Sequence, residues 1–166
     1  MNQQKIIDSP LGKMRLISNG KQLTNALFIF DDEDVTTKTQ FDEIPIKDDP
    51  LLVEAAKQLE EYFNKRRETF DLPLLTVGTT FRKKVWEVLN DIPFGEVLTY
   101  KKIAEIVDSP KASRAVGGAC RANPFMVIIP CHRVLSSAGA YTGYAGSRIH
   151  IKEYLLKFEA EKKCRE

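Results

Sequence analysis

The chain has 166 residues, of which 43% are hydrophobic and 29% are charged, with 9 Gly and 8 Pro. This composition can form a buried core and excludes disordered, collagen-like and low-complexity chains. The 25 Lys and Arg against 23 Asp and Glu give a net charge of +2, and no apolar run approaches the roughly 18 uncharged residues that a membrane span requires.

The first third of the sequence predicts an antiparallel meander of three short strands, Lys5–Ile7, Met14–Ile17 and Leu23–Phe30. Turn-forming residues separate these strands, Ser-Pro-Leu-Gly after the first and Ser-Asn-Gly after the second. Residues 31–49 are acidic and rich in Thr with weak periodicity, so they indicate a loop.

A helix is predicted after this loop. Asp49 and Pro50 supply an N-cap and a first-turn proline, and apolar residues recur at helical spacing as far as Arg67. These apolar residues are Leu51, Leu52, Ala55, Leu59, Tyr62 and Phe63. One amphipathic helix can cover the small sheet, so we predict a first domain over residues 1–75 and a second over residues 76–166.

The two halves of the chain differ in charge. Residues 1–79 contain 10 basic and 14 acidic residues, a net charge of −4, whereas residues 80–166 contain 15 and 9, a net charge of +6. The basic second half favours a polyanionic partner, although solvated lysines on ordinary helices give similar totals.

Three helices are predicted at the start of the second half, over Thr80–Asn90, Tyr100–Val107 and Lys111–Arg121. Thr99 is a suitable N-cap for the second helix, and the turn Asp108–Pro110 caps the third. Helix, tight turn and helix form a layout that reads DNA. Any two short helices joined by such a turn also fit it, so this pattern alone is a weak indication.

The third of these helices has an unusual composition. Between Ala112 and Ala119, Arg114 is the one long side chain, and the adjacent Gly117 and Gly118 cost about 1 kcal/mol each relative to alanine. Either the helix packs closely against a neighbouring helix, or its backbone approaches a phosphate chain with Arg114 projecting from a flat surface. The residues by themselves leave both interpretations open.

Residues 125–131 form an apolar run that predicts a buried strand ending at Cys131. A free cysteine is most often a small core hydrophobe. Beside His132 and Arg133, however, Cys131 is a candidate nucleophile, because cationic and hydrogen-bonding neighbours lower the pKa of a thiol from its ordinary value of about 8.5. We therefore expect these neighbours to hold Cys131 ionised.

The three cysteines, Cys120, Cys131 and Cys164, are too few and odd in number for a disulfide framework, and no Cys-x-x-Cys accompanies the two histidines. We therefore expect neither a metal ion nor a cofactor. The first residues lack a basic segment followed by an apolar run, so we expect a reducing, cytoplasmic location.

The motif around Cys131 closely resembles that of the O6-alkylguanine-DNA alkyltransferases. The resemblance extends in register from about Thr80 to Glu159, whereas the N-terminal region matches in length and in its Ser-Pro-Leu-Gly segment. The matching segments are Arg114-Ala-Val-Gly-Gly-Ala119, Arg121-Ala-Asn-Pro124, Pro130-Cys-His-Arg-Val134, Thr142-Gly-Tyr-Ala-Gly146 and Lys152-Glu-Tyr-Leu-Leu156. The resemblance implies an α+β chain, with a ribonuclease H-like N-terminal part followed by a mainly helical winged helix-turn-helix domain.

The resemblance also implies catalytic roles. Cys131 would accept the alkyl group, His132 and Glu153 would form a proton relay that reaches the thiol through a water, and Asn123 would hold the helix and the active-site segment together. The competing interpretations are a core histidine, an i,i+4 pair of Glu153 with Lys157 and an ordinary turn at Asn123.

The implied partner is double-stranded DNA, bound through its minor groove by the small-residue helix that includes Ala115 and Gly117. Tyr100 would crowd the target phosphate and reach the guanine, and Arg114 would fill the space that the flipped base leaves in the stack. The pocket walls would include Pro130 and Tyr144, and the residues expected to direct backbone donors at the base are Val134 and Ala145. Tyr100 also remains compatible with a core tyrosine.

Two cysteines outside the motif are interpreted as bystanders. Val116, one turn before Cys120, favours a core position for that thiol, and Cys164 lies in a charged tail. The N-terminal half contains no Cys and His set for the zinc site that some eukaryotic members of the family have.

The reaction expected from the resemblance is direct repair of DNA. A monomer would transfer the alkyl group of O6-alkylguanine to Cys131 once and be consumed, because a thioether does not hydrolyse. The alternatives are a Cys-His hydrolase, which lacks an evident oxyanion loop here, and a damage sensor without chemistry, against which the presence of Cys131 argues.

Overall fold

The computed structural model describes residues 1–30, 41–137 and 149–165, and residues 162–165 are described by their backbone alone. The chain forms two compact units. The first comprises Met1–Thr76 and Pro124–Ile128, and the second comprises Val77–Asn123 and Ile129–Glu166. The boundary at residue 75 that we inferred for the domains stays a prediction.

The first unit contains the expected antiparallel meander. Its strands are β1 (Gln3–Ser9), β2 (Gly12–Ser18) and β3 (Leu23–Phe28), in the order β1-β2-β3. Gly12 begins β2 with a φ of 111°, a conformation that few residues other than glycine adopt. The glycine in the Ser-Pro-Leu-Gly turn is therefore what allows the tight return of the chain.

Helix α1 (Pro50–Phe63) packs on β1 and β2. Asp49 Oδ1 accepts a hydrogen bond of 2.8 Å from the Leu52 backbone N–H, which confirms the predicted N-cap. The helix ends at Phe63 and not near Arg67, because Lys65 adopts a left-handed conformation with a φ of 62°. The buried face consists of Leu52, Ala55, Gln58, Leu59 and Tyr62.

Residues 125–131 are buried apart from the half-buried Met126, but they do not form the predicted strand. Phe125 makes a single bridge to Ala26, and Val127 reverses the chain with a φ of 71°. The chain then enters a 3-10 helix over Cys131–Arg133. A continuous apolar run identifies burial and does not distinguish a strand from an irregular buried segment, which is why the strand prediction is wrong.

The second unit is mainly helical. Its helices are α2 (Thr80–Asn90), α3 (Tyr100–Ile106), α4 (Ser113–Arg121) and α5 (Ile149–Arg165). A short parallel pair joins β4 (Leu98–Thr99) to β5 (Val134–Leu135). The meander of the first unit and the helices of the second confirm the α+β class.

Helices α3 and α4 pack on each other as a helix-turn-helix, and α4 also packs on α2. Thr99 Oγ1 caps α3 by accepting a hydrogen bond of 3.0 Å from the Lys102 N–H, as predicted. The predicted cap of α4 is wrong, since that helix begins at Ser113 after Ala112, whose side chain makes no capping bond. Trp86 Nε1 donates to the carbonyl of Ala119 at 2.9 Å and ties α2 to α4. None of the described helices combines the length and apolar character needed to cross a membrane.

Candidate active site

Cys131 is the first residue of the 3-10 helix, and 7% of its surface is exposed. The buried side chain of Asn123, just after α4, donates from Nδ2 to the Ile129 carbonyl at 2.8 Å and to Cys131 Sγ at 3.3 Å. The structure thus brings together two of the predicted site residues. One amide group fixes both the approach of the chain to Cys131 and the position of the sulfur.

The surroundings of Cys131 do not favour ionisation of its thiol. Burial raises its pKa above the ordinary value, and the hydrogen bond from Asn123 and the charge of Lys152 offset this only in part. The expectation of a lowered pKa is therefore wrong. A neutral thiol needs a base to accept its proton before it can attack a carbon atom.

The base nearest in sequence, His132, is fully buried and pairs with a carboxylate of α5. Its Nε2 donates to Glu159 Oε2 at 2.8 Å. Burial lowers the pKa of His132, so the imidazole is neutral and keeps its second nitrogen, Nδ1, as an acceptor. Among the described residues, nothing hydrogen-bonds to this buried Nδ1 atom.

Glu159 also binds Arg133. Arg133 Nε donates to Glu159 Oε1 at 2.8 Å, and Nη2 donates to Oε2 at 2.9 Å. Although burial opposes ionisation, the contacts with His132 and Arg133 hold the pKa of Glu159 well below its usual range. The 3-10 helix and α5 are therefore joined by a buried and ionised network.

Glu153, the predicted partner of His132, does not belong to this buried network. Its Oε1 accepts a hydrogen bond of 3.0 Å from Lys157 Nζ, and both side chains are exposed. The assignment of Glu153 to the relay is wrong, because this residue lies on the solvent face of α5. The i,i+4 pair that we had kept as the alternative is the observed contact.

A periodic signal identifies the residue that the sequence reasoning missed. Glu159 follows Lys152 by two helical turns, and both share the buried face of α5 with Ile151 and Leu155. A charged residue in phase with the apolar face of a helix indicates a buried ionic partner. This spacing identifies Glu159, whereas Glu153 was assigned from its place in the segment that resembles the family.

Lys152 is a second missed residue. Its side chain is buried, and Nζ lies 5.6 Å from the centroid of the Tyr100 ring. Burial lowers the pKa of Lys152, and its positive charge in turn favours the ionised form of both Cys131 and Cys120. The cation thus stabilises negative charge at the sulfur once a proton has left.

On the second unit, a cavity of about 600 Å³ is lined mainly by basic and small residues. Tyr100 borders it from the start of α3, and Arg114, Gly117 and Arg121 border it from α4. Arg114 and Ala115 are exposed, whereas Val116 on the opposite side of α4 is in the core. The predicted DNA-contacting residues of α3 and α4 are therefore on one accessible, positively charged surface.

Packing against the described residues does not explain the two glycines of α4. A Cβ atom added to Gly117 would lie 3.7 Å from Arg121 Nη1 and 3.9 Å from Tyr100 Cε1, and one added to Gly118 would lie 3.9 Å from Arg121 Nη2. These are ordinary contacts. Close helix packing, one of the two interpretations left open by the sequence, therefore does not account for the glycines.

The remaining predicted residues differ in outcome. Val134 is buried, and its backbone N–H donates to the Cys131 carbonyl, so the expectation that this donor faces a bound base is wrong. Tyr144 and Ala145 lie outside the described residues.

Cys120 is buried as expected, and burial, followed by the proximity of Cys131, raises its pKa to about 12. No group of three or more His, Cys, Asp or Glu in the described segments is placed to hold a metal ion.

Two family models match the chain. Residues 4–76 match the ribonuclease-like domain of 6-O-methylguanine DNA methyltransferases, and residues 80–161 match their DNA-binding domain.

Curated relatives match along most of their length. The constitutive methylated-DNA--protein-cysteine methyltransferase of Bacillus subtilis is 43% identical over 96% of both chains. A methylated-DNA--protein-cysteine methyltransferase of Methanosarcina barkeri is 46% identical over 93% of this chain and 94% of its own.

Solved structures also match. O6-methylguanine methyltransferase of Mycobacterium tuberculosis superposes with a TM-score of 0.86 at 36% identity, covering 98% of this chain and 94% of its own. A structure of OGT from the same organism in complex with DNA gives a TM-score of 0.84 at 36% identity over 96% and 94% of the two chains.

Proposed function

This chain belongs to the family of 6-O-methylguanine DNA methyltransferases, and we propose how its residues carry out the reaction of that family. The protein binds DNA and repairs it by transferring the alkyl group of a methylated base to a cysteine of its own chain, as a methylated-DNA--protein-cysteine methyltransferase. We propose Cys131 as the acceptor. The observation that carries this assignment is the sulfur held by Asn123 next to the buried His132–Glu159 pair.

The proton of the thiol leaves through His132. Nδ1 is the free acceptor of a neutral imidazole, and a water between this atom and Sγ would complete the relay to the thiol. The imidazolium that forms is stabilised by Glu159, whose carboxylate accepts from Nε2. The positive charge of Lys152 also favours the thiolate form of Cys131.

The thiolate then attacks the alkyl carbon in line with the guanine oxygen. The S–C bond forms as the C–O6 bond breaks, and the electron pair of that bond passes to the base. Tyr100 borders the cavity, and its proposed role is to donate a proton to the base, so that the leaving guanine is neutral. The thioether that remains offers no carbonyl to water, so each molecule reacts once.

Helix α4 is proposed to enter the minor groove of the DNA. Arg114 and Ala115 are exposed on α4, and the glycines that intramolecular packing does not require permit a close approach of the backbone to the DNA. Arg114 would occupy the space that the flipped nucleotide leaves in the stack. Flipping costs a few kcal/mol and costs least for a damaged, poorly paired base, which favours the lesion over normal guanine.

Asn123, Cys131, His132 and Glu159 hydrogen-bond to one another in pairs within the chain, and we propose that a monomer carries out the transfer. We also propose a reducing compartment such as the cytoplasm, because a buried thiol can accept an alkyl group only while it remains reduced.

The test uses a duplex that carries one O6-methylguanine with a labelled methyl group. We expect one label per protein molecule on the peptide that contains Cys131, no transfer in Cys131→Ala and retained transfer in the matched control Cys120→Ala. Transfer to another residue would overturn the acceptor assignment. Repeated turnover of an activated ester dependent on Cys131 would favour a hydrolase, and binding with an unchanged protein mass would favour a damage sensor.

A further inference from the structure

We propose that Arg133 is a positioning residue for alkyl transfer, because its guanidinium shares the Glu159 carboxylate with His132 and thereby keeps the imidazole a neutral proton acceptor. This inference rests on the proposed relay through His132. It assigns to Arg133 a function in the reaction that is separate from any contribution to folding.

The side chain of Arg133 is 6% exposed and is held from several directions. Nε and Nη2 bind the two oxygens of Glu159 at 2.8 and 2.9 Å, and Nη1 donates to the carbonyl of Ile92 at 2.6 Å. Its Cζ atom lies 5.7 Å from the centroid of the Phe94 ring. The guanidinium is planar and permanently charged, so these contacts fix a positive charge at one place beside the carboxylate.

Glu159 Oε2 is shared, since it accepts both from Arg133 Nη2 and from His132 Nε2 at 2.8 Å. A carboxylate at this distance favours the charged form of a histidine. The charge of Arg133 opposes that effect, and the pKa of His132 lies below its ordinary value, with burial as the largest cause. The pair Arg133–Glu159 is electrically neutral, so it can hold the imidazole in place without charging it.

Other charged or titratable groups face His132 as well. Lys152 on α5 also lowers the pKa of His132. The thiols of Cys131 and Cys120, which interact electrostatically with Lys152, both have raised pKa values. Among these groups, Glu159 is the one that favours the imidazolium. Removing the charge of Arg133 while Glu159 remains should therefore raise the pKa of His132.

The consequence for the reaction follows from proton balance. The thiol proton must move to an imidazole that is not already protonated. If the pKa of His132 rises, a larger fraction of the protein at a given pH carries an imidazolium that cannot accept it. The acidic limb of the transfer rate against pH then moves upward by the same amount.

The experiment compares Arg133→Met with the matched variant Arg133→Lys, which keeps the charge and loses the fork geometry. The chain has two histidines, so NMR titration of the imidazoles follows His132 directly, with the exposed His150 as an internal reference. We expect the His132 midpoint and the acidic limb of methyl transfer to move upward together by at least about one unit in Arg133→Met. Both should stay near their wild-type positions in Arg133→Lys.

An unchanged His132 midpoint in a folded Arg133→Met protein would overturn the inference. If Arg133→Met does not fold, Arg133→Lys still tests it, since a midpoint raised by a unit or more with the charge retained would contradict the argument. His132→Gln separates a failure of the proposed relay from a failure of the inference about Arg133. If this variant transfers methyl groups at the wild-type rate, the proposed relay itself is wrong, whatever the arginine variants do.

Discussion

Replacing Glu159 by Gln, with Glu153→Gln as a matched control, tests which carboxylate of α5 belongs to the site. In Glu159→Gln the amide still offers an oxygen to His132, but it leaves the buried guanidinium of Arg133 without its anion. Removing one partner of a buried ion pair costs about 3–5 kcal/mol. Glu153 pairs with Lys157 in solvent, where an i,i+4 pair contributes about 0.3–0.5 kcal/mol.

The two substitutions should therefore separate clearly in thermal unfolding. Each kcal/mol shifts the Tm of a chain of this size by about 2–4 °C, so Glu159→Gln should lose roughly 6–20 °C and Glu153→Gln less than about 2 °C. Methyl transfer at a temperature where both variants are folded should fall about 10²-fold or more in Glu159→Gln, since the base loses the anion that stabilises its charged form. Glu153→Gln should react at the wild-type rate.

The contribution of Glu159 to stability should also depend on pH. The folded pKa of Glu159 is depressed, so its ionised form stabilises the protein above the unfolded value of about 4.3, and this contribution is lost as the pH falls toward the folded value. The Tm difference between the wild type and Glu159→Gln should therefore narrow below about pH 4. Equal losses in the two variants, or a larger loss in Glu153→Gln, would refute the assignment.

Three further substitutions test other parts of the site. Asn123→Ala removes the hydrogen bond to Cys131 Sγ and should raise the pKa of that thiol further. Iodoacetamide alkylation and methyl transfer should then both need a higher pH than in the wild type. An unshifted pH dependence of both reactions would contradict the role of Asn123. Gly118→Ala should leave the Tm unchanged or raise it, because alanine favours a helix by about 1 kcal/mol relative to glycine. The same variant should bind duplex DNA more weakly in an anisotropy titration. Unweakened binding would count against a close approach of DNA to α4. Arg114→Ala should slow repair of a duplex but leave the reaction with free O6-benzylguanine nearly intact, since the free base needs no flipping, and equal losses with both substrates would exclude the proposed role.

The sequence by itself determined the features that depend on short-range patterns. The meander follows from apolar segments separated by glycine turns, and the starts of α1 and α3 follow from the local caps Asp49 and Thr99. The acceptor motif is equally local, because Cys131, His132 and Arg133 are consecutive. Its resemblance to the alkyltransferases was sufficient to predict the family and the reaction.

The tertiary structure decided everything that depends on which distant groups are buried together. Residues 125–131 have the composition of a strand, but in the described structure Phe125 makes a single bridge and Val127 adopts a left-handed conformation. Glu153 and Glu159 are the same residue type on the same helix, and only the packing of α5 on the 3-10 helix turns one toward His132 and the other toward solvent. The protonation state of Cys131 likewise follows from burial, which depends on the whole fold and outweighs the neighbours that the motif supplies.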